Sequence, residues 1–396
     1  MNEPILAASD RCLAPQSDPD RQIFRLAAIL ATLLLGADAP CPNLAKLKEH
    51  VTILASPEYE GRRGAGAGKA AAYVEGAFQA LKLEPLFDKS YRQEIPDRVP
   101  GKVLGVNIGA KIVGSDPKLR DEWVILAAHF DHLGKRGEVI YPGADDNASA
   151  VAMMLEVARC LVESPTPPKR SVMLVGFDLE EVGLFGSRYF VDRMPVPIQQ
   201  VKLFITADMI SRSMAGLTGD AVYVMGTERI PSLRATVTKA SQGLPLTVGL
   251  LGSDIMILDR SDYGPFRYRE VPYLFFSTGE SEHYHRPTDI AATLNYPKFE
   301  AISLMMASVV REVVDCAELP TWSAVADNPV AEAQTIDRTL KVFMANQERL
   351  ALSPFQIALI RNAQKTLDRV IQRGRYEGNE RATVITVARI ILTTAL

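Results

Sequence analysis

Five stretches of the chain place acids and histidines directly after apolar runs. They are His129-Phe130-Asp131-His132, Asp145-Asp146-Asn147, Asp178-Leu179-Glu180-Glu181, Asp208 in the segment ITADMI, and His283-Tyr284-His285. One such residue is readily a surface acid. Five in succession, most of them just past a hydrophobic strand, point to one convergent site, because open α/β sheets bind ligands outside the carboxyl ends of their strands, where an unpartnered charge carries a burial cost. Imidazole and carboxylate without thiolate suit catalytic zinc or a related divalent ion. Two histidines and three carboxylates exceed what one open zinc site uses. They fit two metals sharing a bridging carboxylate, the hydrolytic arrangement in which ions about 3.5–4 Å apart hold a nucleophilic water. Residues two apart share a face at an extended strand end, so His129 and Asp131 can touch, and Asp131 can hold the imidazole by its other nitrogen. Adjacent Glu180 and Glu181 point in different directions, so one can bind metal while the other faces the substrate as general base. Gly183 then permits a tight turn.

The elements around these residues alternate. Short apolar strands are expected at Lys102–Val113, Trp123–Ala128, Ser171–Phe177, Lys202–Thr206, Ala221–Met225 and Pro272–Phe276, and helices at Lys69–Leu81, Ser149–Val162 (with Ser149 as N-cap) and Glu300–Cys316. Continuously apolar strands separated by helices predict an α/β fold with a mostly parallel central sheet covered on both faces. From about Leu319 the pattern becomes helical. Ala331–Leu350 and Thr383–Leu392 bear apolar segments, and Ser353-Pro354-Phe355-Gln356 reads as a capping box with Pro at the first helical position. The expected division is a leader at 1–40, the α/β domain that carries these acids and histidines at 41–318, and a helical C-terminal extension at 319–396, which holds no candidate catalytic cluster.

The 396 residues are 47% hydrophobic and 23% charged, with a formal net charge of -3. This excludes a disordered chain, and without a basic excess it speaks against a nucleic-acid binder. Arg21 and Arg25, the apolar run Leu26–Leu35 and Ala37-Asp38-Ala39 together resemble a secretory signal, too short to span a bilayer. Export to the periplasm or the cell exterior is therefore expected, with no stable membrane insertion after processing. Cys12, Cys41, Cys160 and Cys316 form no disulfide framework; one pair, Cys41 with Cys316 for instance, is compatible with the count but not fixed by it. The run Gly61–Lys69 is not a phosphate loop, since Arg63 occupies the first glycine position and Ala70 replaces Ser/Thr. It is expected to be a turn before a helix, with Arg62 and Arg63 as solvated charges.

In order along the chain, AHFDHLG, PGADDNAS, FDLEEVGLFGS, ADMISR and YHRPTD resemble the motifs of the di-zinc aminopeptidases of metallopeptidase clan MH, the leucyl aminopeptidase and aminopeptidase Y type. The resemblance runs from about Leu44 to about Cys316 and includes ASPEYEGRRGAGAGKAAAYV. It implies two zinc ions per chain and a peptide substrate. His129 and Asp208 would hold one ion, Glu181 and His285 the other, and Asp146 would bridge them. Glu180 would be the general base, Tyr284 the donor to the tetrahedral oxyanion, and Asp131 the residue orienting His129. Asp262 in SDYGPF matches a family motif near the pocket, with a substrate-side role. His132 and His283 are expected outside the ligand set, and Asp145 as a backbone-capping or surface acid. The departures, Ala150 where glycine often stands and the C-terminal helices, touch no ligand. The same fold also hosts glutaminyl cyclase-like acyltransferases with one zinc, carboxypeptidases and inactive binding homologues. Retention of both His129 and Asp208 speaks against the one-zinc cyclase type, and retention of every ligand and of the base against an inactive homologue; a carboxypeptidase with the same metal centre stays open, because the sequence does not reveal which terminus is recognised.

Overall fold

Residues 41–256, 259–319, 321–325 and 329–395 are described by the computed structural model; the expected leader at 1–40 lies outside them. The core strands form where β-branched and apolar side chains run without a break. They are β3 (Val103–Ile112), β4 (Trp123–His129), β7 (Ser171–Phe177), β8 (Val201–Ala207), β9 (Ala221–Met225), β10 (Thr247–Leu251) and β11 (Tyr273–Ser277). The short strands β1 (Glu84–Pro85) and β2 (Arg92–Pro96) both pair with β3, and β5 (Gly134–Arg136) with β6 (Val139–Tyr141) makes a separate hairpin. The main sheet runs β1-β3-β7-β4-β8-β11-β9-β10.

The expected parallel arrangement holds at the centre, where β7, β4, β8 and β11 are parallel neighbours, and for β9 with β10. Pairing is antiparallel at β1, β2 and β3 against β7, and between β11 and β9, so the whole sheet is mixed. Both faces are buried, with a period of two along each strand. Val124, Leu126 and Ala128 of β4 join one core, and Ile125 and Ala127 the other. The first core is covered by α1 (Leu44–Leu54), α2 (Ala65–Ala80), α3 (Ala150–Glu163), α5 (Leu233–Ser241) and α8 (Tyr296–Asp315). The second is covered by α4 (Phe185–Asp192), α7 (Tyr263–Tyr268) and three C-terminal helices, α9 (Pro329–Ala345), α10 (Pro354–Arg373) and α11 (Glu380–Ala395). Four-residue α6 (Ser253–Met256) links β10 to the segment before α7. The Ser353 box forms as expected: its hydroxyl accepts from the Gln356 amide at 3.2 Å and its own amide donates to Gln356 Oε1 at 2.7 Å.

Two expectations are corrected. Ser149 does not cap α3: it already has helical dihedrals, and its hydroxyl donates to Asp145 O at 2.7 Å within a wide turn at Ala144–Ser149. The disulfide joins Cys41 to Cys160, not to Cys316. The packing of α1 on α3 decides this. The Asn43 amide donates to Glu156 Oε2 at 2.8 Å, which brings Cys41 beside the last turn of α3, while the Cys316 thiol donates to Val313 O and Glu318 O at its own helix end.

Candidate metal centre

Because β4, β7, β8 and β11 run the same way, their carboxyl ends share one rim, and each hands over its acids or histidine there. His129 closes β4, Glu180 and Glu181 follow β7, Asp208 follows β8, and His285 follows β11. Asp146 arrives from the turn before α3. That turn starts at Gly143 (φ 61°), where a Cβ would lie 2.2 Å from Asp146 O and 2.5 Å from the His132 ring, so only glycine fits.

The rim brings all five expected ligands together. His129 Nε2 lies 3.6 Å from Asp146 Oδ1 and 3.6 Å from Asp208 Oδ1. His285 Nε2 lies 3.2 Å from Asp146 Oδ2 and 3.2 Å from Glu181 Oε2. The two oxygens of Asp146 thus face two different donor groups. His132 comes in closer than expected. It is buried, its Nδ1 is 2.7 Å from Glu181 Oε1 and 3.7 Å from Asp146 Oδ2, and it forms a trio of potential ligands with those acids. His283 bonds Thr288 Oγ1 at 2.9 Å instead.

These residues fit a metal. His129 Nε2 and Asp208 Oδ1 are buried without a hydrogen-bond partner, a costly state unless something else binds them. The 3.6 Å separations from His129 are too long for good hydrogen bonds, and the whole range of 3.2–3.6 Å matches two ligands each about 2.0–2.2 Å from a common zinc. The electrostatics agree. Burial pushes the Glu180 carboxyl well above the usual range, against the pull of His129. Burial and Glu181 push Asp146 up to about 6. Burial alone would lower His129, but Glu180 and Asp208 outweigh it and raise the ring well above its ordinary value. His285 likewise rises to about 10: burial opposes, and the bonds to Asp146 and Glu181 prevail. The protein alone gathers protons where cations would balance the acids.

Asp131 is the hub behind the cluster. Its Oδ1 lies 3.5 Å from His129 Nδ1 and accepts the Glu180 amide at 3.0 Å, and its Oδ2 accepts the Glu181 amide at 3.2 Å. His129 Nδ1 also meets Asp131 O at 3.2 Å. Tyr284 stacks on His285, with ring centroids 3.9 Å apart, and its hydroxyl lies 3.4 Å from Arg260 Nη2. Burial, helped by Asp146, pushes that phenol above its ordinary value, so it stays a proton donor. A cavity of about 350 Å³ opens over Asp146, Glu180, Glu181, Asp208, Tyr284 and His285. Gly183, Leu184, Arg188 and Met209 also line it.

Asp262 departs from its expected place. It is fully buried, within reach of the charges of His129, Asp131 and Asp208, and absent from the cavity wall, so it does not face substrate. Asp145 is the expected backbone cap, accepting the Ser211 and Arg212 amides at 2.9 Å each.

Arg62 is a correction too. It is fully buried, not solvated, and its guanidinium donates to five carbonyl oxygens: Phe130, Leu54, Pro142, Gly143 and Asp146. These hold the segments on either side of His129 and Asp146. Asp289 and Arg212 were also hidden in the sequence. Asp289 accepts the Asp145 and Asp146 amides at 2.9 and 3.2 Å and Arg212 Nη1 at 2.5 Å. Their positions in YHRPTD and ADMISR were the available signal.

The family model described as Peptidase family M28 matches residues 107–310, just over half of the chain. The chain belongs to Peptidase family M28. All eight expected catalytic and ligand residues lie inside the M28 match; Arg62 and the three C-terminal helices lie outside it. Aminopeptidase YwaD of Bacillus subtilis (strain 168) is 26% identical over 212 residues, covering 50% of this chain and 42% of that protein. The chain therefore spans less than half the length of that curated relative. Among solved structures, LapB from Legionella pneumophila superposes with a TM-score of 0.56 at 19% identity, over 69% of this chain and 72% of that one. A glutaminyl cyclase from Porphyromonas gingivalis does so with a TM-score of 0.55 at 17% identity, over 70% of this chain and 100% of that one. Both likenesses are of fold.

Proposed function

We propose that this M28 chain is a di-zinc aminopeptidase that hydrolyses the N-terminal residue from peptides. The observation that carries the reading is the Asp146 carboxylate, one oxygen toward His129 and the other toward His285. Its arrangement supports Asp146 as the bridge, His129 and Asp208 on one side, and Glu181 and His285 on the other. Two zinc ions there would lower the pKa of a shared water and polarise the scissile carbonyl.

The chain's own groups do the rest. Glu180, at the cavity and with its loop held by Asp131, takes the proton of the attacking water and returns it to the leaving amine. The Tyr284 hydroxyl donates to the oxyanion of the tetrahedral intermediate. Asp131 fixes the His129 ring while fastening the Glu180–Glu181 turn. His132 holds Glu181 through its other oxygen, so that Oε2 faces His285. Residues 41–318 form the peptidase domain and 319–396 an extension. The Cys41–Cys160 disulfide supports an exported protein, since such bonds persist in oxidising compartments. No helix among the described residues is long and apolar enough to cross a membrane.

The test is hydrolysis of a panel of aminoacyl amides and short peptides with free or blocked N-termini, by wild type and Glu180→Ala. Chelator-sensitive cleavage that refuses blocked N-termini is expected. The variant is expected to keep its metal and lose about 10²–10⁴ in turnover. Cleavage of blocked peptides from the other end would make it a carboxypeptidase, and cyclisation of a glutaminyl substrate in preference to hydrolysis an acyltransferase. No chelator-sensitive reaction at all would end the proposal.

A further inference from the structure

The C-terminal helices lie outside the family match, yet two lines of contact run from them to the walls of the cavity. The first starts at Arg381 on α11. Its guanidinium meets Asp254 end-on, Nη1 to Oδ2 and Nη2 to Oδ1 at 2.7 Å each. The same group meets Glu332 of α9, Nε to Oε1 and Nη2 to Oε2 at 2.8 Å each. Paired bonds of this kind fix direction as well as distance. Asp254 belongs to α6, which has four residues and cannot hold its own shape. External groups hold it instead. The Gly252 amide donates to Glu332 Oε2 at 3.2 Å, the Ser253 amide donates to Glu228 Oε1 at 3.2 Å, and Arg389 of α11 donates to Asp254 O. Five residues past Asp254 the chain supplies Asp259, Arg260 and Ser261, which form one wall of the cavity. Ser261 Oγ donates to Asp208 Oδ2 at 3.2 Å, and Arg260 reaches Tyr284.

The second line starts at Arg349, between α9 and α10. Its Nη2 donates to Ala215 O at 3.3 Å, and the Ala215 amide donates to Glu280 O at 2.9 Å. Glu280 lines the same cavity, and its Oε1 lies 3.6 Å from Arg260 Nη1. Both lines therefore end on the Arg260–Glu280 pair in the lining of the cavity.

We infer that the C-terminal helices are a clamp that positions the substrate-binding walls, with Arg381 as its principal positioning residue through Asp254 and Glu332. The inference rests on the aminopeptidase reading for what the walls bind, but not for their being held. The clamp acts on substrate fit. His129, Asp146, Glu180 and Glu181 are fastened separately, by Asp131, Asp289 and Arg62, and the Asp208 backbone by its amide bond to Phe276 O at 3.0 Å, so loosening the walls leaves these groups in place although Asp208 loses the Ser261 hydroxyl.

The experiment compares wild type with Arg381→Met, Arg381→Lys and Asp254→Asn, all as the full chain loaded with zinc. KM and kcat are measured on aminoacyl amides of differing side chain, and amide hydrogen exchange is followed by mass spectrometry. Arg381→Met is expected to raise KM about tenfold or more with kcat within about threefold. Exchange at 252–262 should quicken while 129–132 and 178–181 stay as protected as in wild type. Arg381→Lys keeps the charge but meets only one carboxylate, and should fall between. An Arg381→Met/Asp254→Asn double variant should be no worse than the single, because both cut the same tie. Variants that melt earlier yet keep wild-type KM and wild-type exchange at 252–262 would overturn the clamp. Should wild type hydrolyse nothing, the aminopeptidase reading fails on its own account, and the exchange measurement still decides whether Arg381 holds the wall.

Discussion

Arg62→Lys is the sharpest perturbation of the scaffold, since it keeps the charge and changes only the number and spread of donors. The guanidinium serves five carbonyls, at 2.7 Å to Phe130, 3.0 Å to Leu54, 2.5 Å to Pro142, 2.6 Å to Gly143 and 3.2 Å to Asp146. An ammonium has three donors on one point, so at least two buried carbonyls lose their partner. At about 1–3 kcal/mol for each unsatisfied group, the cost is about 2–6 kcal/mol. For a chain of 396 residues, with an unfolding entropy of about 0.83 kcal/mol per degree, that is a fall in Tm of roughly 2–7 °C. The loss lands on the segments carrying His129 and Asp146, so zinc affinity should also drop about tenfold, as for other groups that orient ligands. Thermal unfolding of the zinc-free protein and chelator competition with the loaded protein read the two effects separately. A variant within a degree of wild type, with unchanged zinc affinity, would refute the role given to these five bonds.

Two further outcomes follow from groups away from the cluster. Reduction of Cys41–Cys160 releases a closure spanning a sequence separation of 119, so reductant or Cys160→Ala should cost about 4–5 kcal/mol, read as a lower denaturant midpoint; an unchanged midpoint would count against the bond. Lys298 is buried, with Nζ on Arg212 O and Gly219 O at 2.8 Å each, and burial lowers its pKa to about 8. The unfolded lysine keeps its proton up to its ordinary value of 10.5, so folding sheds a proton between those limits and stability gains with rising pH. Relative to Lys298→Met, wild type should gain about 3 kcal/mol from pH 8 to 10.5, a shift of about 2.5 in pKa at 1.36 kcal/mol each; parallel unfolding curves across that range would refute it.

The strands that deliver the ligands were legible because each is buried on both faces and so reads as an unbroken apolar run that stops at a charge. Trp123–His129 and Ser171–Phe177 are of this kind. The edge strands β1 and β2 were not, since residues such as Glu84 and Arg92 face solvent and leave no pattern. Ser149 misled because a serine before an apolar helix has the right chemistry for a cap, and only the preceding turn shows that the helix has already begun. Arg62 was hidden for a different reason. Its partners are main-chain carbonyls, which carry no sequence signature, and beside Arg63 and four glycines it looks like any exposed cation. Asp289 and the Cys41–Cys160 pair depend in the same way on which elements pack together, a matter of tertiary contact that spacing along the chain does not encode.

The central claim is that one carboxylate, Asp146, sits between two cations. Elemental analysis of the purified, zinc-equilibrated protein, wild type beside Asp146→Ala, tests it directly. Two zinc ions per wild-type chain, both weakened or lost in the variant while Asp208→Ala and His285→Ala each lose one, is the expected result. A wild-type chain that saturates at a single ion, or an Asp146→Ala variant that retains both, would contradict the account.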